Sequence, residues 1–105
     1  MKALFVPLMT KHYNAFLDGS KTEELRLYGK RWNEKTCIIG RPIILSKGYG
    51  KQNRMIGTIS GFKTQHDSLI SFEERKDLWD IYKRFDIYIA RISIADLKPW
   101  KETNE

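Results

Sequence analysis

The sequence predicts an α+β fold: a small, closed or nearly closed mixed β-barrel of about five strands with two flanking helices. Short apolar runs alternate with two amphipathic segments in the order β-α-β-β-β-α-β. Glycines fall where a small barrel must bend its strands sharply. The 105 residues suffice for one domain, which we assign to residues 1–98, followed by a polar tail over residues 99–105.

The N-terminal segment predicts the first strand and the first helix. Residues 1–9 form the strand, and Pro7 places it at a sheet edge or marks its end. Thr10 can cap the helix, and Gly19 ends it in a left-handed conformation. Three side chains at helical spacing form its core-facing stripe: Tyr13, Phe16 and Leu17.

Three more strands precede the next helix. The second strand covers residues 22–28, the third 42–46 and the fourth 55–62. Gly57 and Gly61 predict bends or bulges within the fourth strand. Two basic segments lie between these strands: residues 29–36 and 47–54.

The C-terminal part predicts the longest helix and the last strand. Ser71 and Glu74 form a capping box that opens a helix over residues 72–84. Its buried stripe contains Leu78, Trp79 and Tyr82, with Phe72 and Phe85 at the two ends. Residues 86–94 alternate as a strand. One face carries Tyr88, Ala90, Ile92 and Ile94, and the other carries Ile87, Ile89, Arg91 and Ser93.

The charge balance favours a polyanionic partner. The chain has 19 Lys and Arg against 13 Asp and Glu, a net charge of +6. Such a surplus attracts RNA and DNA through long-range electrostatics and counterion release. Five Phe, five Tyr and three Trp offer rings on which bases can stack. We expect a monomer that binds RNA or a nucleotide, with DNA as the alternative; the competing interpretation is a basic protein that is merely soluble.

Cysteine and histidine usage narrows the chemistry. Cys37 is the only cysteine, so no internal disulfide or cysteine-based zinc site can form, and we expect a half-buried structural thiol. His12 and His66 lack metal-ligand spacing, so we predict no metal and no cofactor. We expect both at the surface, His66 in a polar loop over residues 63–68. The apolar run over residues 3–9 is too short for a membrane span and lacks a signal-peptide cleavage site, so we expect a cytoplasmic protein without membrane association.

Residues 19–26, Gly-Ser-Lys-Thr-Glu-Glu-Leu-Arg, contain the most informative motif. Glu24 and Arg26 stand two apart in a strand and therefore share a face, while Leu25 takes the opposite face toward a core. Lys21 follows the turn and can lean over the same polar face. Such a charged trio suits anion binding or proton transfer. The alternative is a solvated strand face with cross-strand ion pairs, which contribute little stability.

The spacing Gly-x-Lys-x-x-Glu-x-Arg at residues 19–26 resembles the signature of the ASCH domain, a member of the PUA-like β-barrel superfamily. Residues 40–47, Gly-Arg-Pro-Ile-Ile-Leu-Ser-Lys, are similar to the family's strand in which aliphatic residues lead to a serine and a basic residue. With the order of the elements, the resemblance covers about residues 3–97.

The resemblance implies a cleft between the barrel and the first helix, lined by Lys21, Glu24 and Arg26. Ser46 and Lys47 would line the same cleft from the adjacent strand. An arginine there offers a planar fork for a phosphate, a carboxylate or a base edge. A partly desolvated lysine can act as a base or nucleophile. The glutamate can orient that lysine or accept a hydrogen bond from a base.

Two aromatic residues lie among basic ones in the connecting segments. Trp32 and Tyr49 can stack on the bases of a single strand, as interleaved aromatic and basic loops commonly do. Packing of Trp32 on the barrel is an equally good interpretation, whereas Tyr49 is expected to be exposed. Residues 48–51, Gly-Tyr-Gly-Lys, lack the spacing of a phosphate-binding loop.

The leading hypothesis is an RNA- or nucleotide-binding module with a basic cleft. Its binding residues would be Lys21, Glu24, Arg26, Trp32, Ser46, Lys47 and Tyr49. Two other hypotheses remain, a hydrolase and a protein-interaction adaptor; the adaptor would use the basic loop over residues 47–54.

The alternative is a metal-independent hydrolase that acts on a modified nucleoside or on RNA, with Lys21 and Glu24 as catalytic residues. Some ASCH proteins resemble small amidohydrolases that remove the acyl group from N4-acetylcytidine with a lysine, a threonine and a glutamate. Lys21 matches the lysine, and Glu73 or Glu74 can supply the glutamate. Glu24 stands where the threonine belongs, and a carboxylate cannot replace a hydroxyl nucleophile without changing the chemistry.

Overall fold

The computed structural model describes residues 1–84 and 86–100. Its five strands are β1 (Leu4–Leu8), β2 (Glu23–Leu27), β3 (Pro42–Lys47), β4 (Arg54–His66) and β5 (Tyr88–Pro99). Its two α-helices are α1 (Thr10–Leu17) and α2 (Phe72–Tyr82), and a 3₁₀ turn covers Asp67–Leu69. Among the described residues, the order of strands and α-helices is therefore the predicted β-α-β-β-β-α-β.

The strands form one curled sheet with the order β1-β3-β4-β5-β2. The β1–β3 pair is parallel and the other three pairs are antiparallel. The curl gives a half-barrel, which confirms the predicted small α+β architecture of PUA-like type. Strands β1 and β2 are the edges of this sheet, and Pro7 lies in β1, where a missing N–H is tolerated.

Strands β4 and β5 are longer than the sequence pattern predicts. Residues 63–66 were expected in an exposed loop, but they continue β4 and pair with residues 88–91 of β5. The expectation was wrong because polar residues on an outward sheet surface carry no apolar alternation. His66 is accordingly half-buried, and its ring nitrogens lie 2.6 Å from Asp86 Oδ1 and 2.8 Å from Ser68 Oγ.

The predicted bends in β4 are confirmed as interruptions of its register with β5. One shift lies between Ile56 and Thr58, and the other between Ile59 and Gly61. At Gly57 the two strands approach so closely that an added Cβ would lie 2.7 Å from the Ala95 carbonyl oxygen. The bulges let the long strands bend around the core.

The last strand continues five residues beyond its predicted end at residue 94. Strand β5 ends at Pro99, and the Trp100 N–H donates a hydrogen bond to the Arg54 carbonyl oxygen at 3.0 Å. The rest of the predicted tail, residues 101–105, lies outside the described residues.

Strand β5 supplies both hydrophobic cores, as its alternating faces predict. Ala90, Ile92 and Ile94 enter the main core between the sheet and α1. On the other face, Ile89 and Ile87, which directly precedes β5, meet residues of α2 and β2 in a smaller core: Leu78, Tyr82, Leu25 and Leu27. Cys37 lies in the main core with 1% exposure, deeper than predicted, and this burial raises the pKa of its thiol.

Helix α1 differs from its prediction in two details. Met9 occupies the N-cap position without a side-chain hydrogen bond, and Thr10 is the first helical residue. Leu17 is 58% exposed, so its assignment to the core-facing stripe was wrong. Successive helical residues are about 100° apart around the axis. Tyr13 and Phe16 face the core, and Leu17, one residue further around the helix, faces away from it. Gly19 adopts the predicted left-handed conformation, with φ 84°.

Helix α2 begins with the predicted capping box, formed by Ser71 and Glu74. It ends at Tyr82, two residues before the predicted end, because the next residue, Lys83, adopts a left-handed conformation with φ 55°. Leu78 is buried and Tyr82 partly buried, but Phe72 is 80% exposed and Trp79 is 36% exposed. The assignment of these two rings to the buried stripe was wrong, because the smaller core contacts only one narrow side of the helix. Phe85 lies outside the described residues.

Arg91 of β5 fixes the N-terminal half of α2 to the sheet. Its two terminal nitrogens donate to both carboxylate oxygens of Glu74 at 3.0 Å each, and its Nε donates to Gln65 at 2.8 Å. The same guanidinium donates to Glu23 of β2 at 2.6 Å. The hydrogen bonds from Arg91 lower the pKa of the Glu74 carboxyl. Helix α2 thereby stands as a wall beside β2.

We expect Gly57→Ala to destabilise the protein by about 1–3 kcal/mol, because the added methyl group cannot fit against the β5 backbone. Gly29→Ala is the matched control, since an added Cβ there meets no atom within 4 Å. Urea unfolding followed by circular dichroism measures both free energies of unfolding. Equal stability of the two variants would contradict the described β4–β5 packing.

Candidate functional site

A cleft of about 590 Å³ lies between the β1–α1 junction, β2 and α2. Residues 7–9 and the first turn of α1 form one wall, and residues 20–26 form the floor. The second wall is α2, which presents Ser71, Glu73, Glu74, Asp77, Ile81 and Tyr82. The motif over residues 19–26 therefore lies beside the first helix, and α2 adds a wall that the sequence did not predict.

The carboxylate of Glu24 is buried at the base of the cleft, with 5% of the residue exposed. Its Oε2 accepts a hydrogen bond from Arg26 Nε at 2.7 Å. Its Oε1 lies 3.1 Å from Lys21 Nζ, which is ion-pair distance, yet the two groups are not aligned for a hydrogen bond. Among the described residues, Oε1 has no hydrogen-bond donor. It is therefore a buried acceptor whose nearest cation is the Lys21 ammonium, and a ligand could reach it only if that ammonium moved aside.

Arg26 joins the two edges of the curled sheet. From β2, its Nη2 donates to the Pro7 carbonyl oxygen of β1 at 2.7 Å. Its guanidinium carbon lies 4.9 Å from the ring centre of Trp32, which is 7% exposed. The Arg26 guanidinium therefore already uses two of its nitrogens, one to hold Glu24 and one to bridge the strands. It has fewer N–H groups left for a phosphate than the sequence suggested.

Lys21 contacts His12 as well as Glu24. Lys21 Nζ lies 3.0 Å from His12 Nδ1 and 5.3 Å from the ring centre of Phe16. Burial, and secondly the positive charge of Lys21, lower the pKa of the His12 ring. His12 is therefore neutral at pH 7, and its Nδ1 accepts a hydrogen bond from the lysine ammonium. The sequence offered only one hint of this role, namely its place in the first turn of α1.

The other predicted binding residues lie outside the cleft. Ser46 is fully buried, and its hydroxyl donates to the Gly50 carbonyl oxygen at 3.1 Å. Lys47 Nζ lies 5.5 Å from the ring centre of Tyr13. Trp32 is packed in the main core, which supports the packing interpretation and leaves its ring little surface for a base. Tyr49 is 78% exposed, as predicted.

The lining of the cleft is mixed in charge and not basic. Three cationic side chains, Lys11, Lys21 and Arg26, face five carboxylates: Glu23, Glu24, Glu73, Glu74 and Asp77. The expectation of a basic cleft was wrong because α2 brings acidic residues to it. Across the cleft, Lys11 of α1 donates to Asp77 of α2 at 2.9 Å. Glu74, the alternative catalytic carboxylate, has both oxygens engaged by Arg91.

Two features are absent from the described part of the chain. Over residues 1–84 and 86–100, no group of three or more His, Cys, Asp or Glu side chains is arranged to hold a metal ion. Neither described α-helix has the length and apolar character needed to cross a membrane.

Comparisons with known proteins agree with this architecture. No family model matches the chain, and no curated protein matches it in sequence. The crystal structure of ASCH from Zymomonas mobilis matches with a TM-score of 0.60, over 90% of this chain and 68% of that chain. The chain has the fold of an ASCH domain.

Two mutants of the Zymomonas protein match in the same way. A serine-to-alanine mutant has a TM-score of 0.64 over 90% of this chain and 68% of its own. A tyrosine-to-phenylalanine mutant has a TM-score of 0.61 over 93% and 74%. All three are 11% identical to this chain, so the comparison establishes the ASCH fold and leaves the chemistry to the residues of the cleft.

We expect Arg26→Lys to lower the free energy of unfolding by about 2–3 kcal/mol, because a lysine cannot hold Glu24 and reach the β1 carbonyl together. Arg31→Lys is the matched control, since Arg31 lies over the same ring at 5.2 Å. That control should stay within about 0.5 kcal/mol of the parent. Chemical denaturation measures both, and equal effects would show that ring stacking alone matters at Arg26.

We expect the His12 ring to titrate below its ordinary pKa of 6.5, and Lys21→Met to move its pKa upward without restoring 6.5. The shift is partial because burial is the larger cause. Lys11→Met, which removes the smallest contribution, should change the His12 pKa less. NMR titration of the ring protons measures all three proteins.

The same pKa shift sets a pH dependence of stability. His12 in the unfolded chain binds a proton more readily than His12 in the native protein. The free energy of unfolding is therefore not reduced by His12 above pH 6.5, and it decreases as the pH falls from 6.5 toward the lowered pKa. An identical His12 pKa in the parent and in Lys21→Met would contradict the Lys21–His12 contact.

Proposed function

We propose that this chain is an RNA- or nucleotide-binding module of ASCH type whose cleft takes a single base. The observation that carries the proposal is the buried Glu24 carboxylate, whose Oε1 has no hydrogen-bond donor among the described residues. A ring N–H or an exocyclic amine of a base would satisfy it once the Lys21 ammonium moves aside. Lys21 Nζ, 3.1 Å from that oxygen, would donate to a neighbouring acceptor on the same base edge. Base edges commonly present a donor beside an acceptor.

The charges around the cleft favour a base over a phosphate as the buried group. With Glu23 and Glu74 paired to Arg91, three carboxylates face three cationic side chains, so the cleft offers no net positive charge to hold a phosphate drawn deep into it. The phosphates of a bound strand would therefore remain outside, where the chain's net charge of +6 attracts them. Lys47 and exposed Tyr49 would act there, outside the cleft. Arg26 would act through Glu24, as the group that positions the buried carboxylate.

Hydrolysis of a modified nucleoside or of RNA is the second candidate, and one contact favours it. Lys21 Nζ lies 3.0 Å from Nδ1 of a histidine that is neutral at pH 7. His12 would orient the Lys21 side chain through this hydrogen bond, and Lys21, in its neutral amine form, would act as a general base toward water. Glu24 occupies the position of the threonine nucleophile, so this route would use water as the nucleophile.

The binding proposal is tested with Glu24→Gln, which preserves side-chain size but removes the buried charge. We expect affinity for the preferred nucleoside 5′-monophosphate to fall about tenfold or more, because a hydrogen bond to a buried carboxylate contributes about 1.5–3 kcal/mol. Glu73→Gln is the matched control, because Glu73 lines the same cleft but is exposed; its affinity should remain within about twofold. Isothermal titration calorimetry with the four common monophosphates supplies the measurement.

Equal affinities of the parent, Glu24→Gln and Lys21→Ala would refute base binding in the cleft. Thermal unfolding of each variant checks that lost affinity does not reflect lost structure. Incubation with N4-acetylcytidine and with a 12-nucleotide RNA separates the second candidate. Products that disappear in Lys21→Ala support the hydrolase, while measurable affinity without turnover supports the binding module.

A further inference from the structure

Helix α2 has a second surface on the flank that faces away from the cleft. Four side chains line a groove there of about 400 Å³: Phe72, Arg75, Lys76 and Trp79. At about 100° per residue, the centre of this group is about 130° around the helix from that of Glu73 and Asp77, which line the cleft. The helix is thus acidic toward the cleft and aromatic and basic on its other flank. We name the second surface the α2 groove.

Both aromatic residues of the α2 groove are exposed in part, Phe72 more than Trp79. Phe72 is 80% exposed and Trp79 is 36% exposed. The two residues are seven positions apart, so two helical turns place them about 10 Å apart along the axis. Large apolar side chains normally leave the surface of a soluble protein, and an exposed pair in one groove indicates a contact surface.

The charges of the α2 groove are cationic. Arg75 and Lys76 lie between the two rings in sequence, and Lys83 Nζ lies 5.9 Å from the ring centre of Trp79. Arg75 also lies 3.9 Å from Asp67, but its side chain remains 45% exposed. No carboxylate lines the groove among the described residues. A partner that fits it has flat apolar faces and negative charges at short intervals.

We propose that the α2 groove binds single-stranded nucleic acid, with bases stacked on Phe72 and Trp79 and phosphates held by Arg75 and Lys76. Alternating flat bases and phosphates meet both requirements of the groove. An anionic bilayer fits less well, because two rings on an 11-residue helix give little apolar area and the acidic flank is repelled by the lipid. The α2 groove is a binding site separate from the cleft, and the proposal does not depend on which ligand the cleft takes.

Phe72 variants test the α2 groove, because so exposed a side chain can change without unfolding the protein. We expect Phe72→Leu to weaken binding of a fluorescent 12-nucleotide oligouridine by about 5–30-fold, since stacking contributes about 1–2 kcal/mol per base. Phe72→Tyr, which keeps an aromatic ring, should stay within about twofold. Leu69→Ala is the matched control for exposed apolar surface, because Leu69 is 70% exposed nearby and has no ring. Fluorescence anisotropy measures each affinity.

Arg75→Gln with Lys76→Gln tests the phosphate contacts. The slope of log affinity against log salt concentration should flatten by about 1.4, because each phosphate contact on a single strand contributes about 0.7. Lys2→Gln with Lys35→Gln, two exposed lysines distant from α2 in sequence, removes the same charge and should leave most of the slope unchanged.

Three outcomes overturn the proposal: parent-like binding by Phe72→Leu, an equal loss in Leu69→Ala, or Phe72-dependent binding to phosphatidylserine vesicles without binding to the oligouridine. Monophosphate titrations keep this result separate from the cleft. Phe72→Leu should bind the monophosphate like the parent, while Glu24→Gln should lose it. Either proposal can therefore fail while the other stands.

Discussion

The buried pairing of Glu24 with Arg26 connects the architecture of this protein to its cleft. A carboxylate removed from water destabilises the fold unless cations and hydrogen bonds compensate for lost hydration. Arg26 supplies that compensation at 2.7 Å and reaches with its other nitrogen to the Pro7 carbonyl oxygen on the opposite sheet edge. One guanidinium therefore bridges the edges of the half-barrel and holds the acceptor of the cleft in place. Lys21 completes the charge balance from the side open to solvent.

Residue patterns alone predicted most of the fold. Alternation in β5 anticipated its two cores, Gly57 anticipated a bulge, and Ser71 with Glu74 anticipated the start of α2. Within the cleft, strand periodicity placed Glu24 and Arg26 on one face, and Lys21 leans over them from the segment before β2. These features depend on local spacing, which a sequence displays directly.

Features that depend on tertiary docking could not be predicted in this way. The acidic wall exists because Arg91 holds Glu74 against the sheet, and nothing near residue 74 in sequence announces that contact. His12 contacts Lys21 only because α1 packs beside the residues that precede β2. Ser46 was placed in the cleft by resemblance, but its hydroxyl turns inward to the Gly50 carbonyl. A local pattern predicts which side chains share a face of a helix or strand. It does not predict which other element packs against that face.

The packing of α2 on the smaller core has a consequence for the local unfolding of this helix. A helix anchored by few buried side chains undergoes local unfolding more readily than a sheet that shares the main core. Because α2 contributes a wall to the cleft and the whole α2 groove, one opening event would dismantle both surfaces. A ligand on either flank would oppose that opening, so occupancy of one surface would raise the affinity of the other through thermodynamic linkage. Amide hydrogen exchange in α2 would report this coupling directly.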